Sequence, residues 1–340
     1  MRRRFRVSCA LFLLPAAAVS ASASATSPRA SAPTLAALRI CGSSGPVRPP
    51  ARYRYVILQA WEYRRIAAIK KQSPGTEVLV YKDMASTRDD ARRQDQLPAG
   101  VGYDYANRHH PEWFLKDTNG RRVAWASWPH AWQMDVGSRA YQRAWARNVA
   151  RELPRRRWDG VFVDGISRTL QYPWYLDGRV LAKYPGPGDY QRATTGFLRR
   201  VGPALKRRHL LVVGNINDAP LGLWRRWVGY TSGASKEWWT KSDKARDTGM
   251  LTGDEWAFQM RLLSRAQALH KIFVAIAYGP ADDVAAMSYA RASFLLFARG
   301  SLSAFTYSIG CKGEPSASYW RDDVGTPRGA PFAVGSVWRR

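Results

Sequence analysis

The sequence lacks the motifs of several large enzyme classes. It contains neither a G-x-G-x-x-G turn nor a Walker loop, which argues against a dinucleotide-binding or P-loop enzyme. No Cys and His residues have the spacing of a zinc site. His109 and His110 are adjacent, so their side chains point apart, and no carboxylate spacing completes a metal site around them. We therefore expect neither a metal nor another cofactor.

Long apolar segments are absent beyond the N-terminus. Four arginines within the first six residues precede an apolar stretch at 7–19, and Ala23, Ser24 and Ala25 follow it. This order predicts a signal peptide over residues 1–25, and hence a secreted protein with no stable membrane insertion after cleavage. A membrane anchor is the alternative, but the apolar stretch is shorter than the ~20 residues that span a bilayer. Ser, Ala and Pro then predict a flexible leader and arm over residues 26–50.

Acidic residues are scarce, with 26 Asp and Glu against 53 Lys and Arg, for a net charge of +27. Removing the four signal arginines leaves +23. Such a charge can favour nucleic acid or other polyanions. The arginines, however, are scattered along helical patterns, with no long basic block beyond residues 155–157 and no nucleic-acid motif. We expect no nucleic-acid binding; whether the charge has a function stays open.

Only three cysteines are present, and Cys9 leaves with the signal peptide. Cys41 and Cys311 flank the first and last predicted strands, which are neighbours in a closed barrel. An even pair in an oxidising compartment predicts a disulfide. Two unrelated buried thiols are the alternative.

Short runs rich in β-branched residues alternate with helical patterns, which is typical of βα repeats, although Gly233 and several Ser weaken the sixth run. The runs lie at 53–60, 77–83, 132–135, 160–164, 210–215, 230–237, 272–278 and 302–307. Eight repeats favour a closed barrel over an open doubly wound sheet. We predict a single (β/α)8 TIM barrel over residues 51–340, catalytic and monomeric.

Functional residues of this fold lie where the strands end, at the C-terminal mouth. Asp164 ends the near-continuous apolar fourth run, and Glu237 ends the sixth, so we predict these two as catalytic carboxylates. Strands four and six lie ~9–10 Å apart at the backbone. Inward side chains could therefore reach the ~5–5.5 Å of a retaining glycosidase pair or the ~6.5–9.5 Å of an inverting one. The competing acids, Asp254 and Glu255, open a helix and are better explained as a cap.

Further residues at the strand ends are predicted to bind substrate. Carboxylates and amides could hydrogen-bond sugar hydroxyls, and aromatic faces could stack on sugar rings, although ordinary loop packing must account for some of the 15 Trp and 16 Tyr. The predicted binding residues are Lys82, Asp83, Asp135, Trp174, Asn215, Asn217, Trp238, Trp239 and Tyr278.

Four segments carry a resemblance to a known family. They are Tyr-Lys-Asp-Met at 81–84, the stretch 107–117, Gln-Met-Asp-Val at 133–136 and Trp-Asp-Gly-Val-Phe-Val-Asp-Gly at 158–165. Together they resemble the hypothetical glycoside hydrolase-like family 15. These barrels are distantly related to the α-galactosidase superfamily and to endo-α-1,4-polygalactosaminidases. The similarity covers most of the chain that follows the predicted signal.

The resemblance implies a glycosidase whose nucleophile follows strand four and whose acid/base follows strand six. Carried onto this sequence, Asp164 is the nucleophile and Glu237 the acid/base, acting on a poly- or oligosaccharide. Two alternatives stay open: a non-catalytic carbohydrate-binding barrel, and another hydrolase such as a metal-dependent polysaccharide deacetylase. Convergence of both carboxylates on one cleft would favour catalysis over binding alone.

Overall fold

The computed structural model describes residues 34–39, 53–91, 97–186, 188–241, 249–310, 313–316, 329–334 and 337–339. The predicted signal peptide, most of the predicted arm, and both Cys41 and Cys311 lie outside these residues.

Thirteen β-strands are present in the described part of the chain. They are β1 (Thr34–Leu38), β2 (Tyr53–Leu58), β3 (Glu77–Asp83), β4 (Ser86–Arg88), β5 (Ala124–Trp125), β6 (Trp128–Gln133), β7 (Gly160–Ile166), β8 (Leu211–Ile216), β9 (Gly233–Glu237), β10 (Ile272–Tyr278), β11 (Ser303–Ser308), β12 (Phe332–Val334) and β13 (Val337–Arg339).

Eight of these strands form a closed barrel in the order β1-β2-β3-β7-β8-β9-β10-β11. Every neighbouring pair is parallel, and β1 closes the ring by pairing with β11. The predicted (β/α)8 TIM barrel is therefore confirmed. Two short antiparallel sheets accompany it, β4-β6-β5 and β12-β13.

Two strand predictions were wrong. The sequence predicts the third barrel strand at 132–135, but the strand in this region, β6, pairs antiparallel with β4 and β5 outside the barrel. Conversely, Thr34–Leu38 falls in the segment predicted as a flexible arm, yet it is the first barrel strand and is buried on both sides. The barrel thus begins before residue 51. One strand is lost from the predicted set and one is added, so Asp164 and Glu237 still lie near the C-terminal ends of the fourth and sixth barrel strands.

Eight α-helices connect the strands in the described residues, and the longer ones pack against the outer faces of the barrel strands. They are α1 (Ile66–Gln72), α2 (Tyr103–His109), α3 (Arg139–Arg156), α4 (Pro173–Leu176), α5 (Asp189–Lys206), α6 (Leu221–Tyr230), α7 (Gly253–Ala268) and α8 (Val284–Phe297). Local signals set their ends. The Ser138 side chain caps α3 by accepting from the Tyr141 amide at 3.3 Å, and Arg157, with φ of 61°, terminates it. Among the described residues, no helix is both long and apolar enough to cross a membrane.

Alternation along the strands divides the core in two. One cluster, including Ile57, Leu79 and Phe162, fills the barrel interior, and a larger one packs the outer strand faces against the helices. On β3, Leu79 belongs to the interior cluster and Val78 and Val80 to the outer one. The same alternation turns Tyr81 and Asp83 inward and Lys82 outward.

Candidate active site

The mouth of the barrel brings together carboxylates from the C-terminal ends of β3, β7 and β9. Asp83 and Asp164 are direct neighbours in the parallel register of β3 and β7. Asp83, Asp164 and Glu237 are all half-buried, so each rests on the packed interior and is still open towards the mouth. This arrangement follows from the inward alternation of the strands.

Three donors hold the Asp164 carboxylate. The Tyr81 hydroxyl donates to Oδ2 at 2.6 Å, and the Gly165 amide donates to Oδ1 at 2.8 Å. The side-chain amide of Asn215, on β8, donates to the same Oδ1 at 2.9 Å. Because the donors come from β3, β7 and β8, the orientation of this carboxylate is fixed by the barrel itself.

Three donors also hold the Glu237 carboxylate. The Tyr278 hydroxyl donates to Oε1 at 2.6 Å, and the side-chain amides of Asn215 and Asn217 donate to Oε2 at 2.6 and 2.9 Å. The Glu237 amide in turn donates to Oδ1 of Asn217 at 2.8 Å. Ser235 fixes the orientation of the Asn215 amide by donating to its Oδ1 at 2.9 Å.

The Asn215 amide nitrogen therefore contacts both carboxylates at once. Because Oδ1 of Asp164 and Oε2 of Glu237 each bond to this one nitrogen, they lie no farther apart than the two bond lengths together, about 5.5 Å. The two carboxylates, predicted from separate strand ends, thus meet at one place in the mouth.

Burial changes the protonation of these groups. Burial first, and the nearby Asp164 second, raise the pKa of Glu237, while its hydrogen bonds to Tyr278 and the two asparagines oppose the rise. Burial and the neighbouring carboxylates also raise the pKa of the Tyr81 and Tyr278 hydroxyls well above the ordinary value. Both tyrosines therefore remain protonated donors at neutral pH.

The half-buried Asp83 lies beside Asp164, and its pKa is raised to about 6, first by loss of solvent and second by the charge of Asp164. Its Oδ1 accepts from the Ala85 amide at 2.7 Å and the Ser86 amide at 3.1 Å, and its Oδ2 accepts from the Ser86 hydroxyl. Gly165, with φ of 75°, passes so close that a Cβ at that position would lie 2.4 Å from Oδ1 of Asp83. Asp83 thus shapes the start of the loop after β3 while bordering the site.

A cleft of about 420 Å³ opens beside Asp164. Its floor includes Tyr81, Asp83 and Asp164, and one side is formed by the β4-β6-β5 sheet. The aromatic residues of its wall are Trp61, Trp125 and Trp128; Trp61 and Trp128 are 41% and 50% exposed. Glu237 is not among the cleft-lining residues, so the cleft extends from Asp164 away from β9.

Three of the predicted binding residues have side chains that are engaged away from Asp164 and Glu237. Lys82 points outward: its ammonium is fully buried and donates to Glu152 of α3 at 2.8 Å. Asp135 follows β6, not a barrel strand, and its carboxylate accepts from Lys183 and Tyr184 of the loop before α5. Both residues brace the structure around the barrel.

Trp239 is the third predicted binding residue whose side chain is engaged elsewhere. It is completely buried against Phe273, and its indole donates to the Ala290 carbonyl of α8 at 3.1 Å, so neither face is open to a sugar. Trp238 is half-buried, with its ring 4.9 Å from that of Tyr278. Trp174 lies in α4, and its side chain is outside the described part of the structure.

Tyr81 and Trp61 were missing from the predicted site. Tyr81 could have been found from its position two residues before Asp83, on the same strand face. Trp61 lies three residues after the end of β2, where an exposed aromatic residue reaches the mouth. Within the described ranges, no group of three or more His, Cys, Asp or Glu side chains could hold a metal ion.

A closed parallel barrel with polar residues gathered at its mouth defines the class as an enzyme-type TIM barrel. Residues 70–340 match the family model described as hypothetical glycosyl hydrolase family 15. The chain belongs to this family and is an enzyme of the glycosidase type. No curated protein matches the sequence significantly.

Two solved structures share the fold. The glycoside hydrolase domain of PelA from Pseudomonas aeruginosa has a TM-score of 0.55 and 15% identity, covering 82% of this chain and 96% of that domain. Ega3 from Aspergillus fumigatus, in complex with galactosamine, has a TM-score of 0.51 and 10% identity, covering 82% of this chain and 92% of its own. At these identities the likeness extends to the fold alone.

Proposed function

We propose that this protein is a secreted, retaining glycoside hydrolase that uses Asp164 as nucleophile and Glu237 as acid/base. The observation that supports it best is the Asn215 amide, which bonds both carboxylates and keeps their oxygens within about 5.5 Å. Retaining glycosidases place their carboxyl groups ~5–5.5 Å apart, whereas inverting enzymes need ~6.5–9.5 Å to admit a water molecule.

The environments of the two groups fit different roles. The raised pKa of Glu237 favours a protonated acid, which the leaving oxygen requires. Asp164 lies next to the open cleft, where its oriented carboxylate can reach a sugar. In the first step an Asp164 oxygen bonds to the anomeric carbon as the glycosidic C–O bond breaks, and Glu237 gives its proton to the departing oxygen. In the second, Glu237 takes a proton from water, which attacks the same carbon and releases Asp164.

The cleft supports a poly- or oligosaccharide substrate. Trp61, Trp125 and Trp128 offer aromatic surface beside Asp164, and aromatic faces suit the apolar faces of sugar rings. Because the cleft extends away from Glu237, towards which the leaving group must face, it is placed to hold sugars on the glycone side of the scissile bond. The predicted signal peptide over residues 1–25 supports action outside the cell.

The test begins with a polysaccharide panel, which includes a galactosamine polymer because galactosamine is bound in the Ega3 structure. On any substrate that is cleaved, the anomeric configuration of the first product should be retained when followed by NMR. Asp164→Ala should abolish turnover. Glu237→Ala should keep first-step activity on aryl glycosides with acidic leaving groups, and added azide should give a glycosyl azide.

Asp254→Ala is the matched control, because Asp254 is an exposed acid in the first turn of α7 and should leave turnover unchanged. An inverted first product would contradict the retaining mechanism. Wild-type activity in Asp164→Ala would contradict the site assignment. Binding to a polysaccharide with no cleavage anywhere in the panel would favour the non-catalytic carbohydrate-binding alternative.

A further inference from the structure

Helix α3 has an unusual distribution of charge. Arg139, Arg143, Arg147, Arg151 and Arg155 occur at every fourth position, and all five side chains are exposed. Residues four apart lie on one ridge of a helix, a ridge inclined about 26° to its axis. At 1.5 Å per residue, successive arginines of the ridge are roughly 6 Å apart along the helix axis. We call these five residues the arginine row.

The arginine row lacks the counter-charges that usually accompany such a pattern. Glu152 is the single acidic residue of α3, and its carboxylate is used from the barrel side by Lys82. Among the described residues, no carboxylate forms an ion pair with any arginine of the row. Within the part of the chain that the structure describes, the five exposed guanidinium groups are therefore not neutralised by a carboxylate.

The arginine row is also unfavourable for the stability of α3. Like charges four residues apart repel each other, and Arg139 stands in the first turn, where the helix dipole disfavours a cation and no acidic residue compensates. A pattern that breaks two local rules without gain to the fold is expected where a surface has a function.

The neighbouring helix widens the basic surface. Arg199 and Arg200 of α5 are exposed, and Arg200 donates from Nε to Gln142 of α3 at 2.8 Å. Arg200 is thereby held against α3 at Gln142, the residue that precedes Arg143 in the chain. The row begins at the mouth end of α3 and runs towards the floor, since α3 ends four residues before β7 begins.

We propose that the arginine row is a docking site for a linear acidic polysaccharide with one carboxylate on each sugar. Single-file cations spaced by about 6 Å suit a single chain whose charges repeat with each pyranose unit. A convex helix surface whose arginines follow one ridge suits such a chain better than a duplex, whose charges are spread over two strands. The site is separate from the cleft, and binding there does not depend on the proposed catalytic pair.

The experiment measures binding of the mature protein to immobilised polygalacturonate, with neutral dextran as the uncharged comparison. The row variant carries Gln at all five positions. Its matched control carries Gln at five other exposed arginines, which gives the same net charge: Arg108, Arg225, Arg226, Arg261 and Arg299. The row variant should bind at least about tenfold more weakly and with a flatter salt dependence, and the control within about twofold of the wild type.

Folding is checked by thermal melting, and removal of like-charge repulsion should leave the melting temperature unchanged or raised. If the fivefold variant fails to fold, the variant with Gln at Arg143, Arg147 and Arg151 is used in its place, and a weaker loss in the same direction is expected. Equal losses in the row variant and its control would overturn the site. A row variant that loses binding to duplex DNA but keeps binding to polygalacturonate would overturn the polysaccharide as partner.

Discussion

Asp83 should make the protein less stable as pH rises, and Asp83→Asn should remove that loss. Its pKa rises from an ordinary value near 3.8 to about 6 in the folded state, so the folded protein binds more protons than the unfolded chain between these values. Stability therefore falls as pH increases through this window. The difference corresponds to up to about 3 kcal/mol of unfolding free energy.

Asparagine is the appropriate replacement because it keeps the shape and the oxygen that accepts from the Ala85 and Ser86 amides at 2.7 and 3.1 Å. The variant is expected to match the wild type near pH 4 and to exceed its stability near pH 8. The measurement is urea unfolding followed by tryptophan fluorescence across this range.

Asp117→Asn serves as a control with the opposite sign. Hydrogen bonds from Arg179 lower the pKa of Asp117, so its ionised form stabilises the folded state at neutral pH and this contribution is lost as pH falls. This variant should be less stable than the wild type near neutral pH and converge with it in acid. Parallel pH profiles for wild type and Asp83→Asn would refute the raised pKa and the close approach of Asp83 to Asp164.

Two further predictions concern the aromatic residues. Trp239→Ala should lower the free energy of unfolding by ~3–5 kcal/mol, because it leaves a cavity between β10 and α8. Trp128→Ala should change this free energy by less than ~0.5 kcal/mol but weaken binding of the substrate polysaccharide. Urea unfolding measures stability, and affinity electrophoresis measures binding. Tyr278→Phe removes a hydrogen-bond donor from the Glu237 carboxylate, so it should raise the pKa of Glu237. The alkaline limb of the pH profile of kcat/KM should then move to higher pH. An unchanged alkaline limb would show that Glu237 is not the acid.

The strands with strong β-branched runs were predictable from sequence. The two errors, the missed strand at 34–38 and the misplaced run at 132–135, have local causes. Thr34–Leu38 reads Thr-Leu-Ala-Ala-Leu, where Ala and Leu give little strand signal, so its role depends on its partners β2 and β11. The run at 132–135 does belong to a strand in part, but nothing local to it shows that the partners are β4 and β5, outside the barrel.

The residues of the candidate site were predictable from their positions at strand ends, but the hydrogen bonds between them were not. Asp164, Glu237, Asn215 and Tyr278 were identified because strand ends share one side of the barrel. The bridging role of the Asn215 amide could not be read from sequence, since it depends on rotamers fixed by Ser235 and Asn217. Position alone also failed for Lys82 and Trp239, because a strand end does not reveal whether the side chain turns inward or towards the helices.

Closure of the barrel by β1 and β11 has a consequence for how the protein folds. Thr34 pairs with Ala304, so the contact that completes the ring joins segments about 270 residues apart in the chain. Forming a contact of such high sequence separation costs a large loop-closure entropy, because a long loop must close first. Such contacts therefore slow folding. Until β11 has been synthesised, β1 and β10 each keep an unpaired edge. The nascent chain is therefore expected to stay open, and dependent on protection of those edges, until almost its whole length is available.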